Sequence, residues 1–290
     1  MFENFERKQI ETSGGTINLV AGGEGPPLLL LHGYPETHVM WHRVAPELAQ
    51  TFTVVAPDLR GYGDSSKPPG GDGHAAYAKR AMAQDGVEVM RALGFERFAV
   101  VGHDRGGRVA YRMALDHPGA VSRLAVLDIL PTHEVYRTAN RLIATAYFHW
   151  FFLIQPYDFP ERLIGADPVY FFRTLLGRWS GAGLDVFSEE ALAEYLRCFS
   201  DPATIHASCE DYRAGASIDY EHDEADLGKR KIPCPTLALH GRFIARLNPP
   251  EVWKQWADDV TAVELPCGHF LPEEAPEETL AALRAFLATS

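Results

Sequence analysis

Six short runs constrain this chain's fold more than any other feature: Pro27–His32, Phe52–Pro57, Arg97–Gly102, Arg123–Asp128, Thr236–His240 and Ala262–Pro266. Each is about strand length, largely apolar and with little polar alternation, the pattern of strands covered on both faces in a parallel sheet. Helical patterns lie between them, at Tyr77–Leu93, Arg108–Leu115 and near Ala275–Ala288. The last has Glu277 and Glu278 early, where the helix dipole favours acids. Alternating strands and helices predict an α/β fold, a mostly parallel central sheet flanked by helices. Lys8–Thr12 and Thr16–Ala21 read as an antiparallel pair around the Gly14–Gly15 turn.

The alternation stops between about Pro131 and Arg230 and resumes at Pro233. The intervening stretch has no convincing strand, many bulky aromatics (Tyr147, Phe148, Trp150, Phe151 and Phe152 among them) and a helix start at Ser188-Glu189-Glu190. It reads either as a helical half of one domain or as a lid over an apolar pocket. The lid reading divides the chain into a core, residues 1–130 and 231–290, and a helical cap, 131–230.

The chain has 290 residues with 27 Lys+Arg against 39 Asp+Glu, a net charge of −12. That excess of acid argues against nucleic acid, whose phosphates need clustered cations. Taken alone, it also argues against a small anionic ligand. Met1–Ile10 lacks the apolar core of a secretory signal. The longest apolar run, Ala144–Ile154, is interrupted by His149 and too short for a membrane helix. Cys198, Cys209, Cys234 and Cys267 are widely spaced, which predicts reduced thiols in a cytoplasmic protein and no zinc site.

The chemistry centres on Val100-Val101-Gly102-His103-Asp104-Arg105-Gly106-Gly107-Arg108. Small residues at 102 and 106, between a strand and a helix, permit a sharp turn that lifts residue 104 above the sheet edge. This is the nucleophile elbow with aspartate in the serine position. The plainer alternative is that Asp104 only caps the helix. An aspartate can displace a leaving group from an sp³ carbon and leave an alkyl ester on the enzyme. Water must then attack that ester, which calls for a general base and an oxyanion hole. His269, after the last strand run and before the last helix, fits the base. Its orienting acid belongs either after the strand that follows the elbow helix or after the next core strand. The second place, Gly241–Asn248, has no carboxylate; the first has Asp128. The oxyanion hole is expected from the backbone N–H groups of Arg105 and Tyr34, the latter in His32-Gly33-Tyr34-Pro35.

Together these residues resemble the α/β-hydrolase superfamily over nearly the whole chain. The Asp nucleophile, His32-Gly33-Tyr34-Pro35 and Asp58-Leu59-Arg60-Gly61-Tyr62-Gly63-Asp64-Ser65 narrow the resemblance to the epoxide hydrolase and dehalogenase branch. Epoxide hydrolases and haloalkane dehalogenases usually have Trp after the nucleophile. Here Arg105 stands, and His103-Asp104-Arg105-Gly106-Gly107-Arg108 is similar to the haloacetate (fluoroacetate) dehalogenases. Arg105 and Arg108, spaced i, i+3 at a helix start where the dipole disfavours cations, then make sense as a clamp for a substrate carboxylate. Pairing with Asp104 or with surface acids is the bland alternative. The resemblance further implies a halide site of His149, Trp150 and Tyr212. Without it Trp150 reads as a core aromatic. Trp179 is a weaker candidate for shaping the pocket.

The expected reaction is hydrolysis of a haloacetate's carbon–halogen bond, fluoroacetate giving glycolate and fluoride, with no metal or organic cofactor. The rivals are an epoxide hydrolase with the same Asp-His-Asp set and two cap tyrosines, and a non-enzymatic receptor on this fold. Expected partners are a small anionic organohalogen and halide, with neither nucleic acid nor membrane. A homodimer is implied by the resemblance alone.

Overall fold

The computed structural model describes residues 1–288. Eight strands form one sheet: β1 (Glu6–Thr12), β2 (Gly15–Gly22), β3 (Pro27–Leu31), β4 (Thr53–Pro57), β5 (Phe98–His103), β6 (Val121–Leu127), β7 (Thr236–His240) and β8 (Val260–Glu264). Their order is β1-β2-β4-β3-β5-β6-β7-β8. β1 and β2 pair antiparallel from Glu6↔Ala21 to Thr12↔Gly15, and β2 joins β4 antiparallel. All later pairings are parallel.

The unbroken apolar runs have a direct structural cause. Side chains alternate across a strand, and here both faces are covered. In β3, Leu29 and Leu31 enter one core while Leu28 and Leu30 enter the other; Val100 and Val101 divide likewise in β5. Helices α1 (Lys79–Ala92) and α2 (Asp104–Asp116) cover the first face with Met82, Val87, Val109 and Met113. The C-terminal helix, Pro276–Leu287, covers the second with Leu283.

Several expected boundaries move, two of them beside the site. α2 begins at Asp104 and not at Arg108, because glycines 106 and 107 hide the helical period while packing the first turn against the sheet. β8 ends at Glu264, two residues before the expected start-to-end span suggested, because it pairs with β7 from Thr236↔Val260 to His240↔Glu264. It is an edge strand with alternating exposure, so Pro266 falls in the loop that carries His269.

Between β6 and β7 the chain forms eight α-helices and one 3₁₀ turn, with no strand among the described residues. Among them are α3 (Pro168–Trp179) and α4 (Pro202–Ala216). Ser188 accepts a hydrogen bond from Ala191 N at 3.1 Å and caps the helix Glu189–Phe199, as its sequence predicts. The excursion leaves and rejoins the sheet at neighbouring strands, Leu124 pairing with Thr236. Among the described residues no helix is long and apolar enough to cross a membrane.

Candidate active site

The site begins at the junction of β5 and α2. Asp104 takes φ +43°, the left-handed region. A Cβ at Gly102 would lie 2.4 Å from Gly106 O, and one at Gly106 2.3 Å from His32 O, so the turn closes only with glycine at both positions. A strained residue of this kind costs about 1–3 kcal/mol. The surroundings over-determine it: each fully buried leucine of β3 alone contributes about 1.5–3 kcal/mol.

The turn presents a buried carboxylate. Asp104 Oδ1 accepts from Tyr34 N at 3.0 Å, and Oδ2 lies 3.9 Å from His269 Nε2. Burial opposes ionisation, but His269, Arg108, His103 and Arg105 together hold the carboxyl below its usual range. His269 Nδ1 lies 2.6 Å from Asp128 Oδ2. Asp128 sits just past the end of β6 at φ +53°, and its Oδ1 accepts from Gly241 N at 2.7 Å. The loop after β7, the other place for an orienting acid, thus supplies a backbone donor to that acid. The Tyr34–Pro35 peptide is cis.

The expected anion-binding residues are all buried, and their surroundings divide them. Arg105 pairs with Asp211: Nε donates to Oδ2 at 2.8 Å, and Nη2 to Oδ1 at 3.0 Å and to the backbone carbonyl at 2.9 Å. Only Nη1 lacks a protein partner. Asp211 also receives the hydroxyl of Tyr62 and the ammonium of Lys79. Pairing with an acid therefore takes most of the Arg105 fork, but the acid is the buried Asp211, neither Asp104 nor a surface residue. Arg108 Nη1 donates to Leu130 O at 2.7 Å, its Nε is unpartnered, and its Cζ stands 4.4 Å from the Trp150 ring centroid. Behind them His149 Nδ1, Trp150 Nε1 and Tyr212 Oη are buried without a protein partner. The Tyr212 ring lies 5.6 Å from His149 and 6.0 Å from Trp150. Burial pushes the His149 imidazole well below its usual range and the Tyr212 phenol well above its own, so the ring is neutral and the phenol keeps its proton. A buried polar group left unpaired costs about 1–3 kcal/mol. These three gather in one aromatic cluster with a fourth such group, Tyr34 Oη, whose ring lies 5.3 Å from that of Tyr212.

A cavity of about 190 Å³ opens onto Asp104, Asp128, His149, Trp179 and His269, with Tyr147, Phe243 and Arg178 also in its wall. Trp179 therefore shapes the pocket: its ring centroid is 4.3 Å from that of His149, and its carbonyl accepts from His269 N at 3.0 Å. Arg105, Arg108, Trp150 and Tyr212 stand outside that wall.

Sequence reasoning missed Asp211, Arg178 and the pair His103–Glu36. His103 Nδ1 lies 3.0 Å from Glu36 Oε2, and its Nε2 lies 2.8 Å from the carbonyl of His269. Burial favours the neutral ring, but Glu36 outweighs it and raises His103 to about 9, so both nitrogens carry protons and Nε2 donates. The position of His103 beside the nucleophile was a usable signal. Arg105 and Asp211 are 106 residues apart, and no local pattern joins them.

This elbow, with its acid–histidine pair at the strand ends of a mostly parallel sheet, defines an α/β hydrolase. The family model for the alpha/beta hydrolase fold matches residues 26–276, and the chain belongs to that family. Among its relatives, a fluoroacetate dehalogenase of Burkholderia sp is 51% identical over 99% of this chain and 95% of its own length. A soluble epoxide hydrolase of Corynebacterium sp. (strain C12) is 38% identical, covering 93% of this chain and 92% of its own. A crystal structure of an alpha/beta hydrolase from Nostoc sp PCC 7120 superposes with a TM-score of 0.98 at 59% identity, over 100% of both chains.

Proposed function

We propose that the protein is a hydrolytic dehalogenase of haloacetates, with residues 1–130 and 231–290 as its core and 131–230 as a cap. The observation that carries this reading is the pairing of an ionised Asp104 with three buried, unpaired donors, His149, Trp150 and Tyr212. Arg105 Nη1 and Arg108 Nε, the free donors of the clamp, hold the substrate carboxylate. Asp104 Oδ2 attacks the α-carbon in line. The carbon–halogen bond breaks with its electron pair on the halide, which leaves toward the three donors. His269, oriented by Asp128, takes a proton from water, and the resulting hydroxide attacks the carbonyl carbon of the Asp104 ester. Tyr34 N already binds Asp104 Oδ1, and with Arg105 N it stabilises the oxyanion that forms there. The intermediate collapses by breaking the Cγ–Oδ2 bond, His269 returns its proton to the departing alkoxide, and the remaining acid proton passes to solvent; glycolate leaves, Asp104 is again a carboxylate, and no cofactor enters the sequence.

The test is single turnover in ¹⁸O-water with fluoride detection and mass analysis of the Asp104 peptide. The scheme expects the first product oxygen to come from the enzyme and ¹⁸O to enter Asp104. A first product carrying solvent oxygen overturns it.

An epoxide hydrolase is the second reading. It is favoured by the Corynebacterium relative and by a phenol of the helical segment besides Tyr212, Tyr136, whose oxygen is buried without a partner and whose ring is 5.1 Å from Trp150. Styrene oxide turnover with no halide from any haloacetate would select it.

A homodimer and a cytoplasmic site complete the proposal. Tyr157, Phe159, Leu163 and Tyr170 are 55–72% exposed within one short stretch of the helical segment, apolar surface that a second copy would cover. Light scattering of the wild type and of Phe159→Glu/Leu163→Glu tests this; a monomeric wild type rejects it. All four cysteines are free and buried, which suits a reducing compartment.

A further inference from the structure

The cavity above Asp104 has one arginine in its wall, Arg178. It lies in the last turn of α3, where the helix dipole favours a cation. Its side chain is exposed. Among the described residues its guanidinium has no carboxylate partner, and its ring contact is with Phe148, Cζ 5.7 Å from the centroid. Arg137, Arg197 and Arg213 in the same helical segment are each held by glutamates; Arg141, Arg162 and Arg173 are exposed without an ion pair among the described residues, but none of them lines this cavity. The backbone beside Arg178 is fixed to the loop of the base. Trp179 O accepts from His269 N at 3.0 Å, and Glu274 Oε2 accepts from Gly181 N at 2.6 Å and Gly268 N at 2.9 Å.

A small carboxylate approaching this protein meets a net charge of −12 and a cavity containing Asp104 and Asp128. Arg105 and Arg108 cannot offset that at a distance. They are 0% and 1% exposed, and Arg105 is already neutralised by Asp211. Fields act between exposed groups over about 8–10 Å at ordinary salt, so attraction must come from a cation at the mouth. We propose that Arg178 is this cation: it captures the substrate carboxylate at the entrance and passes it inward to Arg105 and Arg108. It thereby selects short monoanionic acids over neutral molecules of the same size. The proposal rests on the haloacetate reading.

The experiment follows fluoroacetate association by stopped-flow tryptophan fluorescence, alongside fluoride release, for wild type, Arg178→Gln, Arg178→Lys and Arg178→Glu, each at low and at physiological ionic strength. Arg178→Gln is expected to slow association and lower kcat/KM about three- to tenfold at low salt, with kcat within about twofold of wild type. It should also flatten the salt dependence. Arg178→Lys should recover most of the rate, and Arg178→Glu should fall below Arg178→Gln. Gln and Glu variants that associate at the wild-type rate with the wild-type salt dependence overturn the proposal. A wild type that binds fluoroacetate but releases no fluoride overturns the dehalogenase reading, while the association rates still test Arg178. A protein that binds no haloacetate overturns both.

Discussion

The strand-end loops and the helical segment build opposite kinds of surroundings for their polar groups. On the sheet side every reacting group is tied down: Asp104 by Tyr34 N, His269 by Asp128 and by Trp179 O, Asp128 by Gly241 N. On the helical side His149, Trp150 and Tyr212 are as deeply buried but have polar atoms with no protein partner. Covalent steps need fixed geometry, which satisfied hydrogen bonds provide. An anion site needs donors whose only good partner is the ligand. The arginines lie between these extremes: Arg105 commits Nε and Nη2 to Asp211 and leaves Nη1 free, and Arg108 commits Nη1 to Leu130 O and leaves Nε without a partner.

The contrast breaks most sharply at the nucleophile. Asp104→Ala should lower kcat by at least about 10⁴-fold, since no other group can form the ester; fluoride electrode assays measure it, and residual turnover within a hundredfold of wild type would reject Asp104. His269→Asn should leave the first half-reaction and block the second. Intact-protein mass spectrometry under turnover should then find the ester mass on Asp104, and an unmodified peptide would count against His269 as the base. Asp128→Asn should reduce kcat by about 10³–10⁴-fold with KM little changed, because His269 loses its orienting partner.

The helical side should respond less. Trp150→Phe and Tyr212→Phe each remove one donor and should cost about 10²-fold in kcat. The penalty should be larger for fluoroacetate than for bromoacetate, because fluoride is the stronger hydrogen-bond acceptor. Tyr212→Phe, which keeps the ring and removes only the unpaired hydroxyl, should also stabilise the ligand-free protein by about 1 kcal/mol, whereas Trp150→Phe should destabilise it, because a smaller ring leaves a cavity beneath Arg108; thermal melts with and without halide check this. Destabilisation by Tyr212→Phe would mean that its hydroxyl has a structural partner.

The last effect is one of pH. His103 is raised to about 9 by Glu36, so the pair's stabilisation is complete below His103's unfolded value near 6.5 and is lost as pH rises through about 9. Unfolding free energy measured in denaturant from pH 6 to 10 should decline over that window by a few kcal/mol at most. Glu36→Gln should flatten the decline; an unchanged slope would remove the ion pair from the account.

Much of this was legible in the chain. The sheet strands were visible because burial on both faces leaves continuous apolar runs. The elbow was visible because a turn this tight excludes side chains at 102 and 106. His269 and Asp128 followed from chain order, since the fold puts each at a strand end. The start of α2 was hidden by the same glycines that make the elbow, and the edge strand β8 by its half-exposed pattern.

The sequence alone determined the sheet, the sharp turn that carries Asp104 and the helical character of residues 131–230, because each depends on local period or on a turn's steric demand; chain order added His269 and Asp128 at the strand ends beside that turn. Tertiary structure decided which charges are spent and which are free. Asp211 takes most of Arg105 from 106 residues away, Glu36 keeps His103 charged, and the exposed Arg178 lines the same cavity as Asp104. Net charge could not foretell this, because a pocket's potential is set by the few groups facing it and by how they are desolvated, not by the surface total.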